Sequence, residues 1–131
     1  MGKVKRILAS RTLKPHKETY CGIELCETVH IHLPGGLRLE FTSEQFEVFA
    51  ETVSKARQKW IALSKPTTAE FILLAGEHLP GDPVYPTRFE VEEQTVPSIH
   101  IHLRGLSIRP SIPRFIEFAE VMEEARKNLT Q

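Results

Sequence analysis

Two segments of the chain alternate apolar and polar residues in step with each other. Val29, Ile31 and Leu33 are interleaved with His30 and His32, and Ile99, Ile101 and Leu103 with His100 and His102. A period of two puts the aliphatic side chains on one face of a strand and the imidazoles on the other. A glycine-bearing turn follows each segment, Pro34-Gly35-Gly36 or Arg104-Gly105, and leads into a second alternating run over residues 37–41 or 106–109. Each pair predicts a β-hairpin with one apolar face.

The period then lengthens to that of a helix. Phe46, Phe49, Ala50, Val53, Ala56 and Trp60 fall on one side of a helical projection, and Phe115, Phe118, Ala119, Met122, Ala125 and Leu129 repeat the stripe. These aromatics are expected to pack against the sheet, with Arg57 and Arg126 laying their aliphatic stems beside them. Thr42, with Gln45 three residues on, predicts a capping box. Ser111 holds the matching place, and Pro113 is tolerated in a first turn.

Upstream of each hairpin the pattern is shorter. Ile7-Leu8-Ala9 and residues 71–75 are apolar runs suited to a strand or a buried helical turn, while residues 20–26 and 88–93 read as half-buried strands. Gly76, Pro80, Gly81, Pro83 and Pro86 predict a loop.

The parallel between the halves is a duplication. An offset of 69 positions superimposes Gly36-Leu37 on Gly105-Leu106, Phe46 on Phe115, Phe49-Ala50-Glu51 on Phe118-Ala119-Glu120 and Ala56-Arg57 on Ala125-Arg126. The histidine strands match at an offset of 70, and Leu8-Ala9 and Leu13 match Leu74-Ala75 and Leu79 further upstream. Residues 1–131 therefore read as a single domain of two repeats, about 7–60 and 73–129, joined by a linker at 61–72. The expected fold is α+β: a duplicated β-β-β-α unit, with an antiparallel sheet, two helices on one face and pseudo-twofold symmetry. The opposite face, polar and open, would carry all four repeated histidines.

Composition removes several function classes. The 131 residues hold 17 basic and 17 acidic side chains, so no global field draws the chain to nucleic acid or to an anionic membrane. Lys3, Lys5, Arg6, Arg11, Lys14 and Lys17 do precede the first acid, Glu18, but a basic arm alone reads as a solvated end. No apolar run reaches the ~18 residues of a membrane helix. Nor does the start of the chain read as a signal peptide or myristoylation site, so a cytoplasmic protein is expected. Cys21 and Cys26 are too few for a disulfide framework and are expected to be free core residues.

Three functional readings follow. The first is a non-enzymatic interaction module, a homo-oligomer or a binder of another protein, using the histidine-bearing face or a sheet edge; near-zero net charge favours self-association. The second is a divalent-metal protein. Histidines at i and i+2 of a strand root roughly 7 Å apart on one side, and His30, His32, His100 and His102 would converge on Zn²⁺ or Ni²⁺ if their strands were neighbours. Glu40 becomes Arg109 in the second copy, so the carboxylate that usually orients a ligating histidine is not apparent. Otherwise no cofactor is called for. No catalytic residue is assigned from the residues themselves, because phosphate loops, nucleophile elbows and Cys/His pairs are not found.

The third reading comes from a resemblance. A duplicated fold with a His-x-Thr/Ser-hydrophobic motif in each lobe characterises the 2H phosphoesterases, and His30-Ile31-His32-Leu33 and His100-Ile101-His102-Leu103 are similar in placement and spacing. The resemblance is confined to these two stretches, and histidines stand where the family has hydroxyls. It implies that His30 and His100 would act as acid and base on a phosphodiester.

Overall fold

The computed structural model describes residues 6–12, 20–33, 37–63, 71–82, 86–92 and 98–129. In chain order these form β1 (Arg6–Thr12), β2 (Tyr20–Leu25), β3 (Val29–Leu33), β4 (Leu37–Phe41), α1 (Ser43–Ala62), β5 (Phe71–Glu77), β6 (Thr87–Glu92), β7 (Ser98–Leu103), β8 (Leu106–Ile108) and α2 (Ile112–Leu129). The class is the expected α+β with a repeated unit. The unit itself is β-β-β-β-α, because the apolar runs before the loops extend into full strands. The strands divide into two antiparallel four-stranded sheets, β1-β2-β3-β4 and β5-β6-β7-β8.

The two sheets share their irregularities. Register slips between Ile7 and Ala9 in the first and between Leu73 and Ala75 in the second. Leu8 and Leu74, the residues skipped, are both buried in the core. Such bulges bend and twist a strand, here at equivalent places in each edge strand. Gly76, expected in a loop, belongs to β5 and pairs with Arg88. The chain turns later, at Pro80-Gly81, where Gly81 takes φ +82° and Asp82 N–H donates to the Leu79 carbonyl at 3.0 Å.

Each helix packs against the other copy's sheet. α1 lies on β5, α2 lies on β1, and the helices touch each other. The exchange protects two edges. Asn128 Nδ2 donates to the Leu8 carbonyl at 2.6 Å, and Lys59 Nζ donates to the Leu73 carbonyl at 2.8 Å. Edge carbonyls at the bulges thereby gain partners and are closed to strand addition. Arg57 and Arg126 reach across the helix pair, to Glu120 at 3.7 Å and Glu47 at 3.2 Å.

The apolar stripes meet in one core. α1 buries Phe46, Phe49, Ala50, Thr52, Val53 and Ala56, and α2 buries Phe115, Phe118, Ala119, Val121, Met122 and Ala125. Thr52 satisfies its hydroxyl on the Val48 carbonyl at 2.7 Å. A line of phenyl rings, Phe41–Phe49–Phe89–Phe115, runs from the first sheet through α1 to the second sheet and α2, with centroids 4.9, 6.0 and 5.9 Å apart. Burying such rings supplies a large share of a core's stabilisation, roughly 1.5–3 kcal/mol for each fully buried side chain.

The capping and hairpin signals hold where they fall on described residues. Thr42 Oγ1 accepts from Gln45 N–H at 3.1 Å while Gln45 Oε1 accepts from Thr42 N–H at 3.0 Å, closing the capping box. The β7–β8 turn puts Arg104 at φ 50° and Gly105 at φ 78°, the signature of a two-residue hairpin turn. Arg104 then bridges the copies: Nη1 donates to the Glu40 carbonyl at 2.6 Å, Nη2 donates to Gln45 Oε1 at 3.2 Å, and the guanidinium lies 4.5 Å from the Phe41 ring centre. Pro34-Gly35-Gly36, Lys3, Lys5, Lys14 and Lys17 lie outside the described residues. Arg11, within them, pairs with Glu120 at 2.9 Å. Among the described residues, no helix is long and apolar enough to cross a membrane.

Candidate metal centre

β3 and β7 are the third strands of their respective sheets, and the alternation places their side chains as expected. Val29, Ile31, Ile99, Ile101 and Leu103 are buried, while His30, His32, His100 and His102 are partly exposed on the other face. Because the strands belong to different sheets, the four imidazoles form two separate pairs. Among the described residues, the group of three or more possible metal ligands whose donor atoms all lie within 4.8 Å is Glu90, His100 and His102. A single four-histidine site is therefore not assembled. His30 and His100, the acid/base pair implied by the phosphoesterase resemblance, stand in separate sheets as well.

The carboxylates that the sequence did not make apparent are present in both copies. Glu24 stands opposite His30 across β2–β3, and Glu90 opposite His100 across β6–β7. Each reaches diagonally to the second histidine: Glu24 Oε1 to His32 Nε2 at 2.8 Å, and Glu90 Oε1 to His102 Nε2 at 2.9 Å. Diagonal neighbours across a ladder are within reach of long side chains. The upstream offset of 66 positions that superimposes Leu8 on Leu74, carried forward, superimposes Glu24 on Glu90. That was the available signal, hidden because the connection between the second and third strands is longer in the second copy.

The pairs differ in what surrounds them. In the first sheet, Arg38 Nη2 lies 3.2 Å from both ring nitrogens of His30. Glu40 Oε2 is 3.2 Å from His30 Nε2, Thr28 Oγ1 3.1 Å from the same nitrogen, and Cys26 Sγ 3.7 Å from Nδ1. The His30 side chain is left 12% exposed, and its ring sits 6.5 Å from that of His32, nearly perpendicular to it. In the second sheet Ser107 replaces Arg38, and its hydroxyl bonds His100 Nε2. The His100 and His102 rings close to 4.3 Å and tilt by only 35°. Glu90 is largely buried beside them, with its side chain 12% exposed.

Two imidazoles and one carboxylate are a ligand set suited to Zn²⁺, Ni²⁺ or Fe²⁺, and three protein ligands leave further positions open. The first sheet offers the same three residue types, with the Arg38 guanidinium against His30, where its charge opposes a second cation. Of the remaining histidines, His78 is exposed just after β5 and His16 lies outside the described residues. The two cysteines are free and buried. Burial pushes the Cys21 thiol from its ordinary 9.0 up to about 12, with Arg11 pulling weakly the other way. That favours an inert thiol over a nucleophile or a metal ligand.

No protein-family model matches the chain, and no curated protein is significantly similar to it.

Proposed function

We propose that this chain is a divalent-metal-binding protein with one site, built from Glu90, His100 and His102 on the outer face of the second sheet. The observation that carries the reading is the mutual approach of their three donor atoms within 4.8 Å. The Glu90–His102 contact at 2.9 Å is one that a metal ion would replace, and metal binding to such ligands releases protons. Zn²⁺ and Ni²⁺ are the ions that best suit two imidazoles and a carboxylate. A reducing, cytoplasmic setting agrees with the two free thiols.

Calorimetric titration with Zn²⁺ and with Ni²⁺ tests this. One ion per chain is expected, with binding lost in His102→Ala and weakened at least tenfold in Glu90→Gln, but kept in His32→Ala. Absence of saturable heat, or equal loss in His32→Ala and His102→Ala, would end it.

Self-association is the second reading. β1 and β5 are capped by helices, whereas among the described residues β4 and β8 each have a neighbour on one side only, and Leu106 in β8 is 44% exposed. An open edge is a template for strand pairing with a second copy. Light scattering should then show a dimer that Leu106→Lys weakens; a monomer at every concentration abandons the idea.

A further inference from the structure

A second site lies away from the histidine faces, open to the surface where the two sheets meet the start of α2. A mostly apolar cavity of about 150 Å³ opens there, lined by Leu39, Leu103, Ile108 and Phe118 and by two cationic side chains, Arg109 and Arg114. Among the described residues, no acidic residue lines it. Arg114 Nε is buried with no hydrogen-bond acceptor. A buried donor on a charged group without a partner is costly, and such groups in folded proteins usually mark a missing acceptor. Arg57 Nε and Glu123 Oε2 are also without a hydrogen bond, but each belongs to a group in an ion pair, with Glu120 and with Arg126 respectively. Among the described residues, no ion pair of that kind accounts for Arg114.

The surroundings favour negative charge. Arg114 is the third residue of α2, and Pro110 and Arg109 precede that helix, so the cavity flanks its N-terminal turn. The unpaired backbone N–H groups of a helix start favour an anion. The first turn of α2 contains no acidic residue, whereas α1 carries Glu44 in the same place. The cavity's size matches one that takes up a single benzene ring.

We infer that this cavity is a binding site for a small apolar carboxylate, with the hydrocarbon seated among Leu39, Leu103, Ile108 and Phe118 and the carboxylate accepting from Arg114. A guanidinium holds a carboxylate through two parallel N–H···O bonds, and the buried Nε would have to turn into the cavity to make one of them. The ligand class is a one-ring aromatic acid or a short branched aliphatic acid. The inference does not depend on the metal site.

Benzoate, benzamide and acetate separate the contributions, read by calorimetry and by ¹H–¹⁵N chemical shifts on the full chain. Benzoate should bind saturably and shift amides of β8 and the first turn of α2. Benzamide, equal in shape but uncharged, should bind at least tenfold more weakly, and acetate should not saturate. Arg114→Met should lose benzoate at least tenfold while keeping the wild-type spectrum elsewhere, and Ile108→Trp, which fills the cavity, should abolish it. Should Arg114→Met not fold, the benzoate and benzamide affinities of the wild type decide alone. No saturable benzoate binding, or equal affinity for benzoate and benzamide, overturns the inference.

Discussion

The outer faces of the two sheets started from one pattern and now differ decisively at the fourth strand, where Arg38 and Glu40 of one copy correspond to Ser107 and Arg109 of the other. Both carry His-x-His on the third strand and a glutamate on the second, bonded to the second histidine at 2.8 and 2.9 Å. On the fourth strand, His32 faces Arg38 in one copy and His102 faces Ser107 in the other. With arginine, the guanidinium lies against His30 and the two rings stand 6.5 Å apart; with serine they stand 4.3 Å apart beside a carboxylate. A duplicated scaffold can thus keep the same histidines and glutamate while an arginine lies against one of them in a single copy. Beneath these faces the copies are nearly interchangeable, since each helix serves the other's sheet.

The strongest test of that interchangeability lies in the core. Phe46 and Phe115 are equivalent and both fully buried, so Phe46→Ala and Phe115→Ala should each cost about 3–5 kcal/mol in urea unfolding. Costs that differ by more than about 2 kcal/mol would show that the copies do not share the core equally.

Alkaline unfolding distinguishes the sheets next. Cys21 corresponds to Thr87 in the second copy, and only the cysteine can ionise. Its thiol is held up to about 12 in the folded state against an ordinary 9.0. Between those values the unfolded chain loses a proton that the folded one retains, so stability falls with rising pH, by roughly 1.4 kcal/mol per unit above pH 9. Cys21→Ala should flatten the fall by that amount in denaturation series between pH 8 and 11; an unchanged slope would contradict the assignment.

Transplanting the decisive residue gives an effect of similar size. Ser107→Arg should weaken Zn²⁺ binding by about tenfold or more, as changes beside metal ligands commonly do. The reverse change, Arg38→Ser, should allow a weak second ion to bind at Glu24, His30 and His32. Unaltered stoichiometry and affinity in both variants would show that the fourth strand does not control the site.

The smallest contrast is at the helix starts. The Thr42 capping box is complete, so Thr42→Ala should cost about 1 kcal/mol. Ser111 Oγ lies 3.4 Å from the Arg114 N–H, at the limit of a hydrogen bond, and Ser111→Ala should cost only a few tenths. Thermal denaturation resolves the difference, and equal losses would remove it.

The sequence carried the faces and lacked the partners. Alternation at His30 and His32, and at His100 and His102, told which way each side chain points, since period two is a property of the strand itself. Helical stripes around Phe46 and Phe115 were legible for the same reason. Neither period says what an apolar face rests against, so the division into two sheets and the exchange of helices were out of reach. Glu24 and Glu90 escaped because a residue facing a histidine from the next strand is set by register, and register depends on the unequal connections between second and third strands. Gly76 reads as a loop residue, yet a bulged edge strand under a helix accommodates it.

The account turns on an unequal pair of histidine faces. Residue-resolved ¹⁵N spectra of the imidazoles during a Zn²⁺ titration address it directly. The account predicts that the ring nitrogens of His100 and His102 shift and saturate at one equivalent while those of His30 and His32 stay in place. Simultaneous shifts of all four rings, or of His30 and His32 first, would contradict it.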